Sequence, residues 1–165
     1  MAAVPVMPWH RMIETKDGLK HSMSHGPLNY AGDISPKQAW ELLVQEPGAV
    51  LVDVRTRPEW AFVGIPDLGN LGKKTVLLSW QNYPEMGIDP DFAARLKAQV
   101  GDAQGPVLFI CRSGARSRSA AIAATAAGFA RCYNVSEGFE GDKDGTSHRG
   151  QRGGWKFAGL PWVQD

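Results

Sequence analysis

Two patterns of apolar residues alternate along this chain. Ala49-Val50-Leu51-Val52-Asp53-Val54 and Val107-Leu108-Phe109-Ile110-Cys111 are continuous apolar runs, the form expected of strands covered on both faces. Thr75-Val76-Leu77-Leu78 and Cys132-Tyr133-Asn134-Val135 are shorter runs of the same kind. Between them the apolar positions take helical spacing. Ser35-Pro36 reads as an N-cap with proline in the first turn, followed by Ala39, Leu42 and Leu43 and stopped at Pro47-Gly48. Arg57 to Phe62 predicts a short helix. Asp89-Pro90 opens another, with Phe92, Leu96 and Val100 on one face and Gly101 closing it. Ser117 to about Gly128 predicts a last helix, whose alanines let it lie close to a sheet. Strands alternating with helices predict an α/β fold: about five parallel strands with helices on both faces, in three layers.

The remaining segments bound this core. Residues 1–26 show no clear period and read as an extension of uncertain order. Gly138 to Gly154 is rich in glycine and charge and predicts a surface loop, after which Trp155, Phe157, Leu160 and Trp162 can dock back on the body. With 43% hydrophobic and 21% charged residues, most of the chain can fold around a core. A net charge of +1 gives no reason to expect nucleic acid or an anionic membrane as partner. The longest apolar stretch, Ala120 to Ala127, is too short to span a bilayer. The N-terminus lacks the basic start and apolar run of a secretory signal. The cysteines are Cys111 and Cys132 alone, so a reducing compartment is the simpler setting. Together these lead us to expect a cytoplasmic protein.

Sites in parallel sheets lie at the carboxyl ends of strands. Two polar clusters fall at such ends, Asp53-Val54-Arg55 and Cys111-Arg112-Ser113-Gly114-Ala115-Arg116-Ser117. Cys111 would sit just before a helix N-terminus, where unpaired N–H groups and a partial positive charge favour an anion. A loop of inward N–H groups adds an anion nest, and Arg112 and Arg116 add full charge. Gly114 permits the backbone angles a tight loop needs. A free cysteine is more often a packing residue. The residues after Cys111 are polar, small or cationic, however, which is poor core material, so a reactive thiolate is the better account.

Such a loop suits either phosphoester hydrolysis or sulfur transfer. A tyrosine-phosphatase loop needs a cysteine, five residues, then arginine. Here that place is Ser117, while Arg116 follows four intervening residues and Arg118 follows six. The shorter loop also encloses a space better suited to one sulfur atom than to a phosphate.

On these residues the chain resembles the rhodanese family. The similarity lies in Leu51-Val52-Asp53-Val54-Arg55, Pro58-Glu59-Trp60, Ile110 to Ser117, Asn134-Val135, Glu137 to Gly141, Gly154-Trp155-Lys156 and Gly159 to Trp162. It runs from about Tyr30 to Trp162 and implies a rhodanese-like domain over residues 27–165. The resemblance implies a double-displacement sulfurtransferase. The Cys111 thiolate would take the outer sulfur of a donor such as thiosulfate and hold it as a persulfide. It would then pass that sulfur to cyanide, a thiol or a protein acceptor. Backbone N–H groups of Arg112, Ser113, Gly114, Ala115, Arg116 and Ser117 would hold the terminal sulfur. Arg112 and Arg116 would attract the anionic donor, unless one of them turns into the protein. Asp53 and Arg55 would support the loop's shape. No cofactor and no metal are implied. Where many members carry Gly-His-Ile-Pro-Gly-Ala, this chain reads Gly64-Ile65-Pro66-Asp67-Leu68-Gly69, without the histidine, and the segment Asp142 to Arg152 is longer than in minimal members.

Other candidates weigh less. Cys132 opens a strand and reads as core. His21 and His25 are beside Gly26-Pro27, without the further ligands a metal requires. His148 lies in the glycine-rich tail and reads as a surface residue or part of the active-site mouth. Trp60 and Trp80 read as core residues, with pocket lining the alternative. Two other functions compete with sulfur transfer: a non-catalytic rhodanese-like binding or regulatory module, and a phosphatase or arsenate-reductase-type enzyme on the same scaffold. Non-catalytic modules usually lose the cysteine, which is present here.

Overall fold

In a computed structural model, residues 29–164 are described. The extension over 1–26 and the His21–His25 pair lie outside them. The elements follow in order: β1 (Gly32–Ile34), α1 (Pro36–Gln45), β2 (Val50–Asp53), α2 (Arg57–Val63), β3 (Ile65–Pro66), a 3₁₀ turn (Gly69–Leu71), β4 (Val76–Leu77), β5 (Gln81–Asn82), β6 (Gly87–Ile88), α3 (Phe92–Val100), β7 (Val107–Ile110), α4 (Ala115–Ala126), β8 (Cys132–Val135) and β9 (Trp162–Val163). Five of the strands form one sheet, in the order β1-β8-β7-β2-β4. All four of its pairings are parallel.

The continuous apolar runs are explained by what covers each face. Val52, Val54, Phe109, Cys111 and Cys132 point to one side, where Phe92 and Leu96 of α3 and Ala120, Ala121 and Ala124 of α4 meet them. Leu51, Leu108, Ile110, Tyr133 and Val135 point to the other, against Leu42 and Leu43 of α1 and against Phe139 and Trp155 from the C-terminal region. A strand's period of two thus sorts one run into two cores. The alanine face of α4 brings that helix close to β7 and β8, the strands that flank its own start.

Local signals set the helix ends. Gln38 N–H donates to Ser35 Oγ at 3.1 Å and Ser35 N–H to Gln38 Oε1 at 2.8 Å, a capping box with Pro36 behind it. Gly101 ends α3 at φ +64°. The helix predicted from Ser117 begins two residues earlier, at Ala115, with Gly114 as its N-cap.

The segment Gly138–Gly154 differs from a simple surface loop. Its middle is exposed, but Gly138, Phe139, Gly141, Gly153 and Gly154 are buried. The segment leaves the body, returns and is pinned by Trp155. This residue is fully buried, its N–H donates to Gly138 O at 2.8 Å and its Nε1–H to Pro161 O at 2.7 Å. Its ring meets Trp40 edge-on at 6.0 Å. Of the other residues expected to dock, Leu160 packs on the core, whereas Phe157 is 56% exposed. Among the described residues no helix is long and apolar enough to cross a membrane.

Trp155→Ala removes a fully buried ring and an anchor for Gly138. We expect it to lower stability by about 3–5 kcal/mol in chemical denaturation. A loss under about 1 kcal/mol would mean that the returning segment is held elsewhere.

Candidate active site

From β2 the chain moves to one side of the sheet (β4), and from β7 to the other (β8). A crevice must open above the carboxyl ends of β2 and β7, where the connections diverge. Thr56, Pro58 and Glu59, which follow β2, form one wall of a cavity there. Cys111, Arg112, Ser113, Ala115 and Arg116, which follow β7, form the other, and Gln81, Tyr83 and Met86 from the β5–β6 hairpin close the rim. The cavity measures about 520 Å³.

Cys111 is 1% exposed and lies at its floor. Gly114 N–H donates to its Sγ at 3.1 Å and Ser117 N–H at 3.4 Å. The Ser117 hydroxyl lies 3.1 Å from the same sulfur and 2.6 Å from Asn134 Oδ1. The loop turns its carbonyls the other way. Cys111 O accepts from Phe139 N–H at 2.8 Å, and Arg112 O accepts from Glu140 N–H at 3.0 Å and Gly141 N–H at 3.2 Å. Ala115 and Arg116 begin α4, where backbone N–H groups have no intrahelical partner.

Two glycines let these parts approach. Gly114 has φ +112°, and a Cβ there would collide with the carbonyl of Ser136. Gly138 has φ +69°, and a Cβ there would meet the Arg112 carbonyl carbon at 2.5 Å.

The loop arginines behave differently. Arg116 is gripped by Glu59 at both ends of the fork, each N···O distance being 2.8 Å. Glu59 also accepts from Thr56 N–H and Thr56 Oγ1. Burial opposes charge on Glu59, but the Arg116 and Thr56 bonds outweigh it and hold the carboxyl down at about 2. The same ion pair raises Arg116. Arg112 is exposed at the mouth, with no side-chain hydrogen bond or ion pair among the described residues.

Asp53 and Arg55 lie beneath the site and do not line the cavity. Both are fully buried. Arg55 donates to Asp53 through Nε at 2.9 Å, and through its second terminal nitrogen to Asp53 Oδ2 at 2.6 Å and Gly64 O at 2.7 Å. Its guanidinium stacks 4.3 Å from the Phe139 ring, whose backbone holds the Cys111 carbonyl. The pair thus reaches the loop through Phe139.

Glu59, Gln81, Tyr83, Met86 and Asn134 were not singled out as site residues from the sequence. Thr56-x-x-Glu59 is a capping-box signature that could have drawn attention to Glu59, and the box does form. Nothing local marks the hairpin. Trp60 lines neighbouring hollows rather than this cavity, and Trp80 packs edge-on against Phe92 in the core. Cys132 is buried, its thiol raised by burial. His148 is exposed, held in the turn around Asp144.

Known proteins resemble this one over the same span. A crystal structure of Rv0390 from M. tuberculosis is 50% identical and superposes with a TM-score of 0.75, covering 82% of this chain and 99% of that one. An uncharacterized protein of Rickettsia conorii is 41% identical over 79% of this chain and 95% of its own length. The thiosulfate sulfurtransferase GlpE of Actinobacillus pleuropneumoniae is 31% identical over 78% of this chain and 90% of its own. The family described as STR4 middle domain matches residues 31–165. This chain therefore belongs to the STR4 middle-domain family and has a rhodanese-like fold.

Proposed function

We propose that this protein is a sulfurtransferase that carries sulfane sulfur on Cys111. The observation that carries the reading is the setting of Sγ: at the floor of an open cavity, facing two backbone N–H groups, in a loop whose first two carbonyls, of Cys111 and Arg112, are turned outward. Such a loop stabilises negative charge where it develops.

The Cys111 thiolate attacks the outer sulfur of the donor. With thiosulfate, the new S–S bond forms as the bond to the sulfonate sulfur breaks, and sulfite leaves with the electron pair. The persulfide's terminal sulfur then carries the charge. The N–H groups at the start of α4 hold it until a thiol, cyanide or a protein acceptor attacks it. Arg112 is the cation that draws an anionic donor to the mouth. Arg116 serves through its backbone, because its guanidinium is committed to Glu59.

That commitment also speaks against phosphate-ester hydrolysis. A phosphoryl group needs a fork of donors over the loop, and Arg116 is turned to Glu59 instead. A purely binding role would leave the polarised cysteine without use.

Thiosulfate should add about one sulfur mass to the intact protein (~32 Da, the persulfide intermediate). Cyanide should remove it, and Cys111→Ala should never gain it. Absence of the adduct with thiosulfate, mercaptopyruvate and polysulfide alike would overturn the reading. Arg112→Ala should raise the KM for thiosulfate about tenfold, as expected for one lost charge-assisted contact, with an unchanged melting temperature.

The Glu59–Arg116 pair makes a separate prediction. The Glu59 carboxyl sits below its ordinary value in the folded protein, so its stabilisation is complete above about pH 4.5 and is lost as the pH falls toward 2. Glu59→Gln should remove about 1 kcal/mol at neutral pH, because solvent screens a partly exposed pair, and flatten the stability profile across that window. A profile that matches the wild type there would show that the pair contributes nothing.

A further inference from the structure

Ser117 has a single hydroxyl proton and two neighbours that could take it. Asn134 Oδ1 is 2.6 Å away and Cys111 Sγ 3.1 Å away. Ser117, Cys111 and Asn134 are all buried, so no bulk water resolves the competition. The orientation of the Asn134 amide decides it, and that orientation is set from the far side. Asn134 lies in register opposite Asp33 on β1. Its Nδ2 is 3.0 Å from Asp33 Oδ1, which also accepts from Tyr30 OH at 2.9 Å. A carboxylate accepts only. Asp33 therefore holds the NH₂ end of the amide toward itself and leaves the carbonyl end facing Ser117. The Tyr30 phenol, raised to about 12 by burial and by its bond to Asp33, keeps its proton and satisfies the carboxylate further.

Read in order, Tyr30 donates to Asp33, Asn134 donates to Asp33, and Ser117 donates to Asn134. The Ser117 oxygen then shows lone pairs to the sulfur. An empty thiolate meets the N–H groups of Gly114 and Ser117 but is denied the nearby hydroxyl proton. A persulfide has no such need, because its inner sulfur is neutral and the charge has moved to the terminal atom. We infer that Asn134, oriented by Asp33, is a positioning residue that withholds the Ser117 proton from Cys111 and so favours the sulfur-loaded enzyme over the empty one. The inference rests on the sulfur-transfer reading above and adds to it what sets the loading equilibrium.

The experiment titrates the ratio of thiosulfate to sulfite and reads the loaded fraction of Cys111 by intact mass. It compares the wild type with Asp33→Asn and Asn134→Ala. Asp33→Asn is isosteric at an exposed position and lets the Asn134 amide turn over, presenting its NH₂ to Ser117 and freeing the hydroxyl proton for the thiolate. Both variants should need about tenfold more thiosulfate relative to sulfite for half-loading, the order expected of one hydrogen bond to a charged acceptor. In a Ser117→Ala background, where no hydroxyl proton exists, Asp33→Asn should have no effect. A half-loading ratio within twofold of the wild type for Asp33→Asn overturns the inference. So does a shift that persists in Ser117→Ala, which would mark a general structural effect. A wild type that takes up no sulfur from any donor removes the sulfur-transfer reading itself, and this inference with it. A wild type that loads normally beside unresponsive variants removes only the inference.

Discussion

The site depends on a backbone clasp. Three N–H groups, of Phe139, Glu140 and Gly141, seize the carbonyls of Cys111 and Arg112. A peptide unit is planar, so fixing a carbonyl on one side of a loop directs the following N–H to the other. Through this clasp the turn after β8 directs the N–H groups of Arg112 and Ser113 to the opposite side of the loop. The clasp in turn requires Gly138, the only residue type that permits both the positive φ and the close approach to Arg112. It is supported from below by Arg55 stacked on Phe139 and from behind by Trp155, whose N–H holds Gly138 O. The buried Asp53–Arg55 pair finds its use here: it satisfies a charge that would be costly if unpaired while stiffening the element that aims the loop.

Electrostatics at the mouth follow from a second commitment. Glu59 lies on the first turn of α2, and its carboxylate closes that helix's capping box through Thr56. It faces Arg116 across the crevice, so a helix cap and an ion pair share one carboxylate. The consequence is a wall on which one positive charge is neutralised and another, on Arg112, is left to solvent. The rim opposite is less polar, with Tyr83 64% and Met86 36% exposed beside Pro58.

How much of this was legible in the sequence depends on the range over which each feature is decided. The N-cap at Ser35, the Gly101 stop and the apolar runs of β2 and β7 are local, and they emerge where the residues place them. Cys111 stood out because the residues after it are unsuited to a core, and its loop does stand at the carboxyl end of β7. The resemblance to rhodaneses, drawn from Asp53-Val54-Arg55 and the Cys111 loop, agrees with the fold. What stayed hidden is long-range. Glu59 meets Arg116 across 57 positions and Asn134 meets Asp33 across 101, and nothing local distinguishes Asn134 from any polar residue in a buried strand. The fate of Gly138–Gly154 was half legible. Its glycine and charge describe the exposed middle, whereas the buried ends are set by the clasp, which no composition reveals.

The two kinds of hydrogen bond around the sulfur have different freedoms, and under the proposed sulfur transfer this difference matters, because Cys111 would change form during turnover. The N–H groups of Gly114 and Ser117 belong to the backbone at the start of α4, so they present the same donors whatever form Cys111 takes. In the proposed cycle, loading sulfur would move the negative charge outward by one S–S bond, about 2 Å. Fixed donors cannot follow that movement; they can only be placed to serve both positions. The Ser117 hydroxyl can rotate, and among the groups of the described residues that contact Sγ it alone can give or withhold a proton. In the proposed cycle, whatever orients that hydroxyl would therefore act on the balance between empty and loaded enzyme without touching the sulfur. In this fold the orienting groups sit on β8 and β1, the strands beyond β7 from the β2 wall of the cavity.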